Sequence, residues 1–548
     1  MFGLFRSRWA AAVFVAVMAT SVLVGAVMIV HSSTVAIDGH RHFALFDDAM
    51  ITMRYADNLV AGRGLVWNPG ERVEGFSSSL WVFVLAAFVA LFGRDGAVAG
   101  VQIFGLVLVL ADLFLVARIT GRLLDGRKGR DVGALGAVFL TLTFYPLFYW
   151  SIMGMETGLV VPLLLVVVRL SLRRQPFSRR RLAVALALGL ACLLRPETVL
   201  FVGVFYVFEC ARRRREGILA LRPLASEAAL FVAPLLGYQI FRLAYFRQWY
   251  ANSYRLKLQG LNLFEALRNG WRFSEPFLLW SGWLALAVGI FLLGAIWRGR
   301  RIRDEPGADR SAQPFLLSRL AEFLVLFVLY VAYQLVVGGD AWPLYVRFPA
   351  PATLLLIIAF SVSVVLLLDR RPRGTFESGS ILGLTFVLLM RWTVSLYRAD
   401  LLTLTPIYST DAASGVNMAL TIRRLTTESA TVAVFAAGVI PYYAQRRAID
   451  LLGKCDETIA RLPVRRGVPW NQRGGMPGHN KYDLDYSLKS KRPTVIQWLG
   501  RPLCRWGTQD LSNWCQENYA VVGFSGGGLL LDKKSTSVHW ERVEVRRP

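Results

Sequence analysis

The feature that most limits what this chain can fold into is the alternation of long apolar runs with short basic loops. Apolar segments fall near residues 9–31, 97–117, 132–150, 157–172, 182–194, 197–210, 224–247, 277–297, 315–337, 345–368 and 378–398. A helix rises about 1.5 Å per residue, so a run of about 20 apolar residues crosses a hydrocarbon layer. A water-soluble domain does not repeat such runs, and 55% hydrophobic with only 18% charged residues agrees. The predicted fold is a polytopic α-helical membrane protein with about 11 transmembrane helices. The pair 182–194 and 197–210 is short for a span.

A formal net charge of +25 would suit a nucleic-acid partner. The placement of the charge points instead to the lipid bilayer. Stretches 118–131, 173–181, 212–222 and 298–310 hold five basic residues each and 370–373 holds three, whereas the turns 151–156 and 338–344 hold none. Lys and Arg mark cytoplasmic loops. The pattern puts the N-terminus, with Arg6 and Arg8, in the cytoplasm and residues 399–548 outside, although the two longest outer loops also carry basic residues. The run 9–30 reads as an uncleaved anchor rather than a signal peptide because it is long for a signal core. Counting 79–93 as a span would move the basic loop 118–131 outside, so that segment is predicted as an interfacial or re-entrant helix.

Residues 399–548 change character. Strand-like runs at Thr431–Phe435, Thr494–Trp498 and Tyr519–Phe524, with a helical stretch at 414–426, predict a small extracytoplasmic α/β domain. The chain thus divides into 1–398, a transmembrane unit with catalytic outer loops, and 399–548. Cys504 and Cys515 lie in this polar region and are candidates for a disulfide. Cys192 and Cys210 read as core residues, Cys455 has no evident partner, and no cysteine spacing suggests zinc.

Residues able to do chemistry concentrate in the outer loops. Asp47 and Asp48 open a helix-like stretch over 49–60. One carboxylate can act as a general base toward a sugar hydroxyl, while Asp48 can equally cap that helix. Arg54, about two turns on, can steady the carboxylates or bind phosphate. The turn WSIMGMETGL offers Glu156. Arg195-Pro196-Glu197 puts ionisable groups between two apolar stretches, where a functional site and an internal ion pair are both open readings. RQWYANSYRLKL offers Asn252, Arg255 and Lys257, with Arg255 read as snorkelling to headgroups. GGDAWPLYVRF offers Asp340, Trp342 and Arg347, and GMPGHNKYDLDY offers His479. Carboxylates facing Arg and Lys fit transfer of a sugar from a lipid phosphate: the cations stabilise charge building on the departing phosphate. No phosphate-binding glycine loop or dinucleotide fingerprint is visible. A divalent cation beside the two aspartates is compatible with them, but no ligand spacing demands one.

Taken in order, Asp47-Asp48 with NPGERVEG, GMETG, Arg195-Pro196-Glu197, QIFRLAYFRQWYANSYRLKL and GGDAWPLYVRF resemble the terminal β-(1→2)-arabinofuranosyltransferase family of mycobacteria and corynebacteria. The resemblance covers roughly residues 40 to 350, and more weakly the PGHNKYD stretch. It implies a GT-C-like membrane enzyme, a polyprenyl-phosphate-arabinofuranose donor, a glycan or glycoconjugate acceptor, and action on the periplasmic side of a bacterial inner membrane. It implies Asp47 as base with Asp48 in support. Arg54, Arg195, Lys257 and Arg347 are then expected on the donor phosphate. Glu74, Glu156, Glu197, Asn252, Asp340, Trp342 and His479 are expected on sugar or acceptor. Relatives commonly carry Pro where Ala251 stands, and the C-terminal domain is shorter than in the mycobacterial enzymes. Two other readings stay open, a flippase of lipid-linked sugar and a GT-C transferase for another sugar.

Overall fold

The computed structural model describes residues 4–172, 179–260, 262–302, 313–339, 345–369, 371–401, 407–465, 478–499, 501–524 and 527–543. Asp340 and Trp342 lie outside the described residues.

The eleven apolar segments of the sequence all occur as helices. Helix α1 (Arg8–His31) leads through a short hairpin, β1 (Ser33–Val35) and β2 (Arg41–Phe43), into α2 (Asp47–Val60). Helix α3 (Ser79–Leu123) breaks at Gly93, whose φ of 67° suits a residue without Cβ. The stretch 79–92 is thereby separated from the following span. The expected continuous segment 132–150 is instead two helices, α4 (Arg130–Leu142) and α5 (Tyr145–Ile152), bent by 62°. Pro146 sits in the first turn of α5 and cannot donate to a preceding turn, so the helix restarts there.

Then come α6 (Thr157–Ser171), α7 (Arg179–Leu194), α8 (Thr198–Arg215), α9 (Leu221–Phe246), the short α10 (Asn252–Leu258), α11 (Leu263–Ile302), α12 (Gln313–Val336), α13 (Ala350–Leu368) and α14 (Gly374–Leu401). Among the described residues seven helices are long and apolar enough to cross a membrane, or up to eight if the bent pair is one span. The shortfall from eleven comes from α6, α7 and α8, of 15, 16 and 18 residues. At 15 residues α6 is only about 22 Å long. Helix α13 is buried almost throughout and forms the axis of the bundle, packed against α3, α4, α11, α12 and α14.

The carboxy-terminal region starts with α15 (Ile407–Leu425) and builds a mixed sheet from β3 (Thr431–Val434), β4 (Arg447–Asp450), β5 (Val495–Leu499), β6 (Arg501–Pro502), β7 (Tyr519–Phe524) and β8 (Gly527–Asp532). The order is β4-β3-β5-β8-β7, with β6 pairing β5. Strand β3 runs parallel to β4 and β5, while β8 is antiparallel to β5 and β7. Helix α16 (Val439–Ala444) follows β3, α17 (Glu457–Ala460) follows β4, and Cys504 is bonded to Cys515 in α18 (Gln509–Asn518).

This region is fastened to the loop after α2. Arg54 is buried and donates to the carbonyls of Trp67 (2.6 Å), Arg446 (2.8 Å) and Pro441, and to Asn68 Oδ1 (3.0 Å). Asn68 in turn exchanges bonds with the backbone of Ala448, at 2.8 and 3.1 Å. A buried guanidinium with this many acceptors is held in one place, so the loop after α2 and the sheet are held together.

Candidate active site

Asp47 and Asp48 lie in the first turn of α2, where unpaired backbone N–H groups favour negative charge. Phe46 occupies the N-cap position, and no side chain caps the helix. The Asp47 carboxylate reaches across to a different helix. It accepts from the backbone N–H of Gly438 (3.1 Å) and Val439 (2.9 Å), at the start of α16. A Cβ on Gly438 would stand 2.0 Å from the Asp47 carbonyl oxygen, so this approach requires glycine. Asp48 faces cations: Lys454 donates to one oxygen and Arg347 stands 3.6 Å from the other.

The two carboxyls are driven apart. Burial pushes Asp47 up to about 6; the Val439 N–H opposes this, and the neighbouring Asp48 charge adds to it. Burial would raise Asp48 as well, but Lys454, Arg347 and Lys257 outweigh it and hold that carboxyl well below the usual range. Two adjacent carboxyl groups with opposed shifts are a recurrent arrangement for acid–base work.

Three separate parts of the chain bring in the cations. Lys454 lies in the turn after β4, at the carboxyl end of a parallel strand, where α/β sheets commonly bind ligands. Buried Asp450 shapes that turn by accepting from the N–H groups of Leu452 (2.9 Å) and Cys455 (2.7 Å). Lys257 lies on α10, which is tied to the same turn: Asn252 Nδ2 donates to the carbonyls of Gly453 (2.9 Å) and Lys454 (3.0 Å). Buried Lys481, from the PGHNKYD stretch, donates to the carbonyls of Arg255 and Ala460 and so holds α10 from its other side. Arg347 precedes α13 and stacks 4.8 Å over the Trp150 ring.

These groups face one cavity of about 620 Å³. Asp47, Asp48, Glu156, Arg195, Glu197, Lys257, Arg347 and His479 all line it. Arg195 is engaged within that wall: Nη1 donates to Glu156 (2.9 Å) and Thr157 (3.0 Å), and Nε donates to Glu197. The internal ion pair is therefore present and also faces the cavity.

Three expected residues lie off the cavity wall. Arg54 is taken up by the carbonyls described above. Glu74 accepts from Arg242 Nε (2.7 Å) and the Tyr238 hydroxyl (2.7 Å), fixing its loop to α9. Asn252 positions α10 through the turn that carries Lys454. Among the described residues no group of three or more His, Cys, Asp or Glu side chains is placed to hold a metal ion.

The architecture has solved counterparts. A structure of ArnT from Cupriavidus metallidurans bound to undecaprenyl phosphate aligns with 97% of this chain and 99% of its own at TM-score 0.57 and 13% identity. The same protein in the apo state aligns over 95% and 98% at TM-score 0.51 and 14% identity. The chain has the GT-C fold.

Curated relatives extend the likeness to sequence. This GT-C chain is 28% identical over 364 residues to a terminal beta-(1->2)-arabinofuranosyltransferase of Mycobacterium tuberculosis, covering 62% of this chain and 56% of that protein. It is 27% identical over 332 residues to the protein of the same name from Corynebacterium glutamicum, covering 54% and 44%. The chain thus spans about half the length of the curated relatives it matches. Residues 405–540 match a family described as a domain of unknown function, DUF8728.

Several cavity residues of the GT-C chain were not evident in the sequence, namely Lys454, Asp450, Arg242, Tyr250 and Tyr254, and neither was the backbone of Gly438 that bonds Asp47. Strand β4 has a charged Arg447 and only four residues, so it does not read as a strand. Recognising it as parallel to β3 would have pointed to the turn after it, and so to Lys454.

Proposed function

We propose that this chain is a membrane glycosyltransferase that moves a sugar, D-arabinofuranose, from a polyprenyl-phosphate donor to a cell-surface glycan by inverting displacement. Residues 1–398 form the transmembrane catalytic unit and 399–548 a periplasmic domain, in a bacterial inner membrane with the N-terminus cytoplasmic. The observation that carries the reading is the meeting of Asp47 and Asp48 with Lys257, Arg347 and Lys454 around one cavity. The curated relatives, named arabinofuranosyltransferases, and the undecaprenyl phosphate bound to ArnT support the choice of sugar and donor class.

Asp47 takes the proton from the acceptor hydroxyl. Its value of about 6 leaves it ionised near neutral pH yet basic enough to accept that proton. The hydroxyl oxygen bonds to the anomeric carbon, the bond from that carbon to the phosphate oxygen breaks, and the electron pair leaves on the phosphate. Lys257, Arg347 and Lys454 stabilise the charge that builds there. Asp48 keeps these three cations converged. Arg195, Glu156 and Glu197 line the same cavity with Tyr250, Tyr254 and His479, and contact the sugar and acceptor.

The test uses membranes carrying the wild type or Asp47→Asn, radiolabelled polyprenyl-phosphate-arabinose and an oligosaccharide acceptor. Label moves to the acceptor with the wild type and not with the variant. Undiminished transfer by Asp47→Asn removes Asp47 as base. Lipid translocation without transfer, by the wild type, makes the chain a flippase instead.

A further inference from the structure

The backbone donors of the Asp47 carboxylate are placed by a short turn, and a side chain outside the catalytic cavity holds that turn. Strand β3 ends at Val434 and α16 begins at Val439, so residues 435–438 have left the strand ladder. Gln497 lies on β5. The parallel register that pairs Val432 with Val495 and Ala433 with Ile496 puts it level with Val434. Its Oε1 accepts from the N–H of Phe435 at 2.7 Å and from the N–H of Ala436 at 3.3 Å. Backbone N–H groups that leave a ladder need another acceptor, and the carboxamide oxygen supplies it. Gln497 is only 3% exposed and does not line the cavity, whereas Phe435 and Ala437 do.

The turn is held from a second side as well. The Ala437 carbonyl accepts from the Trp67 indole N–H at 3.2 Å. The next two residues then present their N–H groups to Asp47: Gly438 at 3.1 Å and Val439 at 2.9 Å. A continuous path of bonded groups thus runs from the middle of the sheet to the carboxylate in the first turn of α2.

We propose that Gln497 is a positioning residue for sugar transfer: by fixing the turn 435–438 it keeps the Gly438 and Val439 N–H groups on the Asp47 carboxylate. This rests on the reading of Asp47 as the base. Hydrogen bonds to a carboxylate favour its charged form, and these two oppose the rise that burial imposes on Asp47. Without the Gln497 oxygen the turn is free to aim its N–H groups elsewhere. Asp47 then rises further, and transfer requires a higher pH. The charges that face Asp47 stay in place. Asp48, in its own helix, raises it, and Lys454, from the turn after β4, lowers it. Lys257 and Arg347 act on Asp48. Glu156, Arg195, Glu197, Asp450 and His479 stand elsewhere on the cavity wall. Substitution of Gln497 alters none of these groups.

The experiment measures kcat/KM for transfer from about pH 5.5 to 8.5, using the full chain in membranes. Gln497→Met keeps the length of the side chain and loses the acceptor. It lowers kcat/KM about three- to tenfold near pH 5.5 and stays within about twofold of the wild type near pH 8.5. Gln497→Asn withdraws the oxygen by one methylene and gives a smaller loss of the same sign. Gln516→Met, on the exposed side of α18, leaves the profile unchanged. Each profile compares rates within one preparation, so a smaller folded fraction does not move it. A loss of equal size at both ends of the range, or an acid limb that stays or moves down, overturns the inference and leaves Asp47 as the base. Undiminished transfer by Asp47→Asn overturns both.

Discussion

Two clusters of buried charge sit in this molecule, and they are built on opposite plans. In the first, Arg212, Arg213 and Arg319 meet Glu209, Glu227 and Glu322 where α8, α9 and α12 converge. The contacts include Arg212–Glu322 at 2.8 Å, Arg319–Glu322 at 3.0 Å and Arg213–Glu227 at 3.0 Å. The space between them is about 50 Å³, little more than a few waters. The second cluster, around Asp47 and Asp48, opens on about 620 Å³. There Asp48 gathers three cations, while Asp47 is left to backbone donors and a raised pKa. Charge that neutralises itself in a closed space holds helices together. Charge arranged unevenly around open space leaves a base and an anion site for a substrate.

Mutations should separate the two plans. The largest effect is expected for Asp47→Asn, which should lower transfer by about 10²–10⁴-fold, the usual worth of a general base, while thermal unfolding in detergent barely moves. Lys454→Met should lower kcat/KM by about 10²-fold, with partial rescue by Lys454→Arg; full activity in Lys454→Met would remove the carboxy-terminal sheet from the active site. Arg319→Met should do the reverse. Leaving Glu322 and Glu209 short of a partner should cost about 3–5 kcal/mol of stability, seen as a lower Tm, with unchanged turnover per folded molecule. Gly438→Ala should cost about tenfold in turnover, since a methyl would press on the Asp47 carbonyl at a cost of about 1–3 kcal/mol.

The smallest effect is on pH. Transfer should fall as pH drops through about 6, where Asp47 takes up a proton. The Asp48 charge raises the Asp47 value, so Asp48→Asn should shift that acid limb downward. An unmoved limb would mean that another group titrates.

The bundle was largely legible because apolar runs and basic loops follow from the cost of burying charge in hydrocarbon. The sequence also marked Asp47, Asp48, Lys257 and Arg347. The eleven spans were less secure, since length alone does not distinguish a crossing helix from short buried ones such as α6 and α7. The expected span 132–150 missed the bend before Pro146 because its composition is uniformly apolar. Arg54 was expected on the donor phosphate from its spacing to the acidic pair, and Asn252 on the sugar or acceptor from the family resemblance. Their partners include backbone carbonyls some 200 to 400 residues away, which no local pattern reveals. Lys454 was hidden for the same reason, since its importance comes from the fold that delivers it to Asp48.

A double-mutant cycle on Asp48→Asn and Lys454→Met, read as kcat/KM for transfer, tests this meeting of distant segments most directly. If the two side chains work as one unit across the cavity, the double variant should be no worse than the poorer single variant. If the two losses multiply, Lys454 and Asp48 act independently, and the site built here from both halves of the chain does not operate as described.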